Sequence, residues 1–484
     1  MRKENVMAGI GFQLKRLYDK SGFFGQLRAY GYSAITAVGP MFLSILLITA
    51  SREWLLYLNV GASEVNIYMA AVQYTFIFSQ LLTGGFLFTI SRFVADQTFL
   101  EKEENVLSSL YGLISLIVVI GLVISVLFYM GSPLPFSYKL VTYLYFTQLS
   151  VIWILSMYVS ALKDYKKIVT SYVLGTLVAA FFIWLLTSPL GHPTATSVFI
   201  GLNLGFFVIL IRLFRDIHHY FQVNNRNYFY FLVYLEKYPL LFLIGTAYYF
   251  GLYGHNLATW FSDRAIIVGE TYLMAPYYDT PVFYAYLSVL PSLVLFMVTL
   301  ETTFYTSYKK YYGRILNGYP FQDIQTAKRE MFRVLSSELL FMAQVQMLVT
   351  FIFLFLGVRL LPFLGMTQNQ IDIFIIVVLG SWFLSLVITI FLILLYFDER
   401  RAAIQLTGFY AVTSFLVTLS LVLLFDLYGV GMFLSAILAF MWGARLLIRS
   451  LNDIDYTTFC SQPIVYQEVT TKTEMFLRRI GSLS

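Results

Sequence analysis

The sequence predicts an all-α polytopic membrane protein: twelve transmembrane helices in two six-helix bundles, with both termini cytoplasmic. Three observations lead there. Hydrophobic residues make up 59% of the 484 residues and charged residues only 12%, whereas a soluble chain is nearer a quarter charged. Apolar runs of about 20 residues recur throughout, the length that crosses hydrocarbon as a helix. They are continuous, not alternating, which excludes a β-barrel. Finally, the cations gather on alternate loops.

Twelve spans are read at 29–51, 67–91, 106–130, 138–161, 168–187, 194–213, 238–260, 282–306, 334–358, 371–396, 402–425 and 429–449. With the N-terminus inside, 28 of the 32 Lys and Arg residues fall on inside segments. Only Arg52, Lys139, Arg264 and Arg359 fall outside. This is the bias that orients membrane helices.

Taken in order, residues 1–28 form a cytoplasmic segment. Ile10, Leu14 and Leu17 share one face of it, with Lys15, Arg16 and Lys20 elsewhere, as in an interfacial amphipathic helix. The segment lacks the apolar core of a cleavable signal. The first bundle occupies 29–213, a polar cytoplasmic connector 214–237, the second bundle 238–450 and a cytoplasmic tail 451–484. An even number of spans per half starts both halves on the same side, so a structural repeat would be parallel. The loop 261–281 reads as polar and outside, and 307–333 as basic and inside.

The run Leu300 to Tyr312 draws attention first. Glu301 follows an apolar segment, with Tyr305, Tyr308 and Tyr312 below it at helical spacing. An acid at such depth faces water or a partner, or snorkels to the interface at a helix end. Glu338 in the ninth span would add a second acid to the mouth of a cavity. Gln73 and Gln80 share one face of the second span, and Arg92 lies four residues before Asp96, in pairing distance. These residues read as a polar path wall or as interhelix glue. Gly39, Pro40 and Pro291 mark helix bends, since proline removes a helix hydrogen bond. Gly201 and Gly205 read as a close-packing pair.

Absences narrow the chemistry. There is no phosphate-binding loop, zinc-protease motif or nucleophile elbow. His192, His218, His219 and His255 are scattered, and Cys460 is the one cysteine. No catalytic residue, metal site, cofactor or nucleic-acid partner is expected.

The stretch Met7–Ala8–Gly9–Ile10–Gly11–Phe12–Gln13–Leu14 carries a resemblance, with Gly25 to Tyr30, Gly39–Pro40, Thr89 to Asp96, the Glu301–Thr302 run and Leu451 to Phe459. Together they resemble the PelG family, membrane transporters of Pel exopolysaccharide systems. The resemblance covers essentially the whole chain. It implies membership of the multidrug/oligosaccharidyl-lipid/polysaccharide exporter superfamily and a bacterial cytoplasmic-membrane location. It further implies export of a cationic, N-acetylgalactosamine-based polymer for a biofilm matrix. The implied partners are a cytoplasmic Pel glycosyltransferase, a cyclic di-GMP-binding Pel membrane subunit and other Pel membrane subunits. On that reading Glu301, Glu338, Tyr305, Tyr308, Gln73, Gln80 and Arg92 line the substrate path. The alternatives are a flippase or ion-coupled exporter of a lipid-linked or small substrate, and a membrane scaffold for the glycosyltransferase.

Overall fold

Long apolar segments with few helix breakers fold here as long helices, and caps set several of their ends. The computed structural model describes residues 22–161, 165–299, 303–460 and 471–479. The expected amphipathic segment 7–20 and Glu301 lie outside the described residues.

The first half contains α1 (Gly22–Tyr57), α2 (Ala62–Phe99), α3 (Glu104–Tyr129), α4 (Phe136–Ala161), α5 (Tyr165–Thr187) and α6 (Ala195–Tyr220). Thr194 caps α6, its hydroxyl accepting from the Ser197 N–H at 3.2 Å. Glu64 on α2 accepts from the Ala195 N–H at 2.9 Å, placing an anion at the positive end of the α6 dipole. A short α7 (Leu232–Lys237) leads into α8 (Pro239–Thr259), which opens on a proline where no helix donor is lost.

Next come the strands β1 (Ile266–Val268) and β2 (Tyr272–Met274), then α9 (Pro276–Tyr286), a 3₁₀ turn at Leu287–Val289 and α10 (Leu290–Thr299). The chain continues through α11 (Tyr305–Leu316), α12 (Phe321–Leu360), α13 (Gln368–Tyr396), α14 (Arg400–Phe425) and α15 (Val430–Asn452). It ends in the short α16 (Ile454–Phe459) and α17 (Lys472–Arg479). Thr367 and Gln370 form a reciprocal capping box at the start of α13.

Among the described residues, 11 helical segments are long and apolar enough to cross a membrane, with α9 and α10 counting as one. This is a multi-pass membrane protein. The long helix outside that set is α8, 21 residues carrying Tyr248, Tyr249, Tyr253, His255 and Asn256.

The loop expected to be merely polar holds a β-hairpin. Gly269 and Glu270 both turn with positive φ, 57° and 49°, a geometry whose twist suits the flanking strands. The connector is also shorter than the polar stretch suggests, because α6 runs on to Tyr220.

The packing order repeats. In the first half α5 packs on α6, α4 on α6, α2 on α4, α1 on α5 and α3 on α4. In the second half α14 packs on α15, α13 on α15, α9 on α13, α8 on α14 and α12 on α13. Between the halves α2 meets α8, and α10 meets α1. Exchanging the halves maps the first of these contacts onto the second, so the arrangement is pseudo-twofold. Each half has its own core. The first core, however, also buries Val268, Tyr272 and Met274 of the hairpin and Phe231 and Tyr234 of the connector.

Glycines set the closest approaches. Gly201 and Gly205 on α6 lie against Ile183, Gly175 and Ala179 of α5. Gly84 and Gly85 on α2 meet α8 backbone to backbone. A Cβ on Gly245 would sit 2.3 Å from the Gly84 carbonyl oxygen, and one on Gly85 would sit 2.8 Å from the Phe242 oxygen. Small residues allow this proximity, and packing is what drives helix association in lipid. Gly245→Leu is expected to cost about 1–3 kcal/mol through forced separation of the backbones. It should lower the melting temperature in detergent, while Gly39→Ala, which meets only Ile35 of its own helix at 3.9 Å, leaves it unchanged.

Candidate functional site: the seam between the halves

The α2–α8 contact runs along α8 and the stretch of α2 from about Gln73 to Arg92, and polar groups of both halves meet along it. At the hairpin end, Tyr74 of α2 stacks on Trp260 with centroids 4.7 Å apart and planes 9° from parallel. Its hydroxyl donates to the Leu273 carbonyl at 2.7 Å and accepts from the Leu273 N–H at 2.9 Å. One side chain thus closes a β2 backbone pair. Tyr129 of α3 shares a hydrogen bond with Tyr272 at 2.6 Å, and Ser132 one with Thr271 at 2.7 Å. Tyr272 is 1% exposed.

Beside this sits Asp279, buried in the first turn of α9. It accepts from Asn256 Nδ2 at 2.8 Å, Trp260 Nε1 at 3.1 Å and the Ala275 N–H at 3.1 Å. Gln73 of α2 hydrogen-bonds the same carboxyl across the seam. A buried acid surrounded by donors is a structural anchor.

Midway along the seam the Tyr253 hydroxyl donates to Gln80 Oε1 at 2.7 Å. Gln73 and Gln80, one face of α2 by spacing, therefore both reach residues of the second half. Below them lies the glycine crossing.

At the other end Arg92 Nε lies 3.1 Å from Asp96. Its Nη1 lies 3.9 Å from Asp398, in the turn between α13 and α14. Arg400 Nη2 donates to Asp398 at 2.9 Å. Both guanidiniums face the Tyr238 ring, at 5.5 Å for Arg92 and 4.9 Å for Arg400. Asp398 and Tyr238 thus bridge the two halves through a cation–π and ion-pair clasp. Glu399 is next to it. Burial, and then the carboxylates of Asp398 and Asp453, push its carboxyl above the usual glutamate range.

The remaining predicted path residues fall around this basic end, but not on α2. Tyr308 packs on Tyr312, Tyr396 and Phe397, with centroids 4.5, 4.8 and 6.0 Å away, beside Asp398. Tyr305 is 45% exposed and stands apart from that cluster. Glu338 is half-buried on α12 and accepts from the Thr299 hydroxyl at 3.4 Å. Glu301 is outside the described residues.

Pro291 lies two residues past the 3₁₀ turn that divides α9 from α10. Gln346 of α12 donates to the Ser288 carbonyl there at 2.8 Å and accepts from the Ser292 hydroxyl at 2.6 Å, so a side chain serves backbone at the break. Pro40 sits within a continuous α1, where Ser44 donates to its carbonyl at 3.1 Å.

Residue typing overlooked several members of the seam. Tyr74 and Trp260 merged into the general aromatic content. Tyr238 entered only as the first residue of the span 238–260, Arg400 only as a loop cation, and Asp398 was not singled out. His255, set aside as scattered, is buried with its Nδ1 2.9 Å from the Tyr278 hydroxyl and its Nε2 against Tyr286. No group of three or more His, Cys, Asp or Glu able to hold a metal occurs among the described residues.

The profile of the PelG family, described as an exopolysaccharide exporter (EPS-E), matches residues 7–459. The chain belongs to that family. This is a transporter family and not a class of enzyme. Comparison with curated proteins gave no match.

Among solved structures, the chain is similar to an outward-facing multidrug resistance MATE family transporter of the MOP superfamily. The TM-score is 0.59 at 12% identity, over 89% of this chain and 97% of that one. It is similar to a Vibrio cholerae MATE transporter, VcmN, in a point-mutant form, with TM-score 0.59 at 13% identity over 92% and 98%. It also matches the eukaryotic MATE transporter AtDTX14, with TM-score 0.54 at 12% identity over 94% and 99%. At such identity the likeness is one of fold.

Two outcomes follow for stability. Tyr272→Ala should cost about 3–5 kcal/mol, as expected for emptying a buried aromatic site, read as a lower melting temperature in detergent. A carboxyl with a raised folded pKa stabilises only while protonated, and that contribution is lost as pH rises through the raised value. Glu399→Gln should therefore melt above the parent at about pH 8, with the difference closing by about pH 4.

Proposed function

We propose that this protein moves a Pel-type, cationic amino-sugar exopolysaccharide across the bacterial cytoplasmic membrane, between its two halves. Membership of the exopolysaccharide exporter family over residues 7–459 carries the reading. The pseudo-twofold packing supports it, because a seam between two similar halves is where rocking of one against the other opens a path.

In this reading α8 is the twelfth span. Its polar residues are tolerable because α2 and α14 flank it. Both termini are cytoplasmic, which puts the Arg92–Asp398–Tyr238 clasp at the inner end and the hairpin at the outer end. The cation distribution supports this orientation. The polymer comes from a cytoplasmic glycosyltransferase, and a cyclic di-GMP-binding membrane subunit and other Pel membrane subunits complete the system. A chain with no nucleotide-binding loop of its own draws the work of export from outside itself, and growth of the polymer at the synthase is one such source. Glu301 and Glu338 supply negative charge at the inner mouth for a cationic chain, with Tyr308 as a flat surface for sugar rings.

The test locks the seam. In a Cys460→Ser background, cysteines replace Gln80 and Tyr253 and are joined by a reducible bifunctional thiol reagent. Polymer secretion should stop on crosslinking and return on reduction. Full secretion from quantitatively crosslinked protein would remove the path from between the halves.

A further inference from the structure

The helix α12 is longer than any membrane needs. It has 40 residues, while about 20 cross the hydrocarbon. Apart from Phe321 at its start, its large exposed apolar residues run from Leu340, 61% exposed, through Leu348, Phe351 and Phe355 to Leu360. From Gln322 to Leu339 none of its large hydrophobic residues is exposed. The exposed positions Gln322, Thr326, Arg329 and Arg333 instead form one polar stripe at helical spacing. Exposed apolar groups then reappear at the far end, with Leu316 at 85%, Tyr319 at 51% and Phe321 at 68%. Phe321 lies about 28 Å of helix away from Leu340.

This arm is braced. Lys310 of α11 pairs with Glu330 of α12. Arg314 donates to the Asp323 carbonyl. Asp455 of α16 accepts from Lys328 at 2.8 Å, Gln325 at 3.1 Å and Tyr311 at 3.4 Å. The turn is set by Gly318, with φ of +66°, and by Pro320. Order is thus invested in a tip whose Leu316, Tyr319 and Phe321 stay exposed among the described residues.

We propose that this tip docks a cytosolic protein presenting an apolar recess rimmed by acidic side chains. At about 28 Å of helix from Leu340 the tip lies beyond the apolar stretch that faces lipid. Charge argues against the chain's own N-terminal segment, in which residues 1–21 carry Arg2, Lys3, Lys15, Arg16 and Lys20 against Glu4 and Asp19. The same repulsion opposes a second copy meeting stripe to stripe. Lys309, Arg329 and Arg333 are exposed and make no direct ion pair among the described residues; Arg333 lies within electrostatic reach of Glu330, and Lys309 and Arg329 in particular are left for an acidic partner. The side of the membrane, and the delivery of polymer there, rest on the function proposed above.

The experiment places a photo-reactive phenylalanine at Tyr319 in the full chain, in intact polymer-secreting cells. One cytosolic protein should be captured. The adduct should fall at least tenfold with Arg329→Glu plus Arg333→Glu, and with Leu316→Ser plus Phe321→Ser, at unchanged membrane levels. Reversing acidic residues on the captured protein should restore the adduct to the Arg329→Glu/Arg333→Glu chain. Adducts to lipid, to the chain itself or to a second copy of 55.7 kDa would overturn the proposal. So would no adduct, or one indifferent to charge reversal. Capture does not depend on transport, so docking without export would fault the function, and export without docking would fault this inference.

Discussion

The structure depends on the backbone contact between α2 and α8. In water, burial of apolar surface could hold two helical bundles together. In lipid that force is absent, and close packing must supply the attraction. Glycine at 84, 85 and 245 lets two backbones meet with no side chain between them. That contact brings the pairs on either side into range: Gln80 with Tyr253, Gln73 with Asp279, and Arg92 with Asp398. A seam held by close packing in the middle and by polar groups at its ends can separate at one end while pivoting near its centre.

Much of the architecture was legible because apolar length and loop charge are local properties. Eleven of the twelve spans correspond to segments long and apolar enough to cross a membrane, with ends displaced by several residues, as for α1 and α6; the span 282–306 starts inside α9 and is crossed by the 3₁₀ turn at Leu287–Val289. The hairpin was missed because its loop was judged by its charges. Ile266–Ile267–Val268 and Tyr272–Leu273–Met274 around Gly269–Glu270 carry the strand signal, namely β-branched and aromatic residues flanking a glycine turn. The seam was only half legible. Spacing places Gln73 and Gln80 on one face, but nothing local pairs Gln80 with a tyrosine 173 residues away. The Tyr305–Tyr308–Tyr312 stripe divides for a similar reason. Tyr396 of α13 packs on Tyr308, which packs in turn on Tyr312, while Tyr305 is left exposed.

Polar groups inside this bundle are mostly tied to one another. Asp279 has four partners, and His255 sits between two tyrosine hydroxyls. Gln346 fills the break at Pro291. Such groups fix geometry, because an unmatched one in hydrocarbon costs several kcal/mol, roughly, and matched ones are costly to separate. Near the basic end the polar groups are more open: Glu338 and the clasp residues Arg92 and Tyr238 are part-exposed, and Asp398 and Tyr305 are exposed.

The hairpin breaks the twofold. Its counterpart position in the first half, between α1 and α2, is the short Leu58–Gly61 link. An exact twofold would place the same kind of connection at both positions, since it relates like ends of the two halves. Here strands belonging to the second half are buried in the first half's core, so parting at that end means withdrawing a folded element from another domain. That burial resists separation of the halves on the hairpin side. The hairpin is thus a latch between the halves that the Leu58–Gly61 link has no means to match.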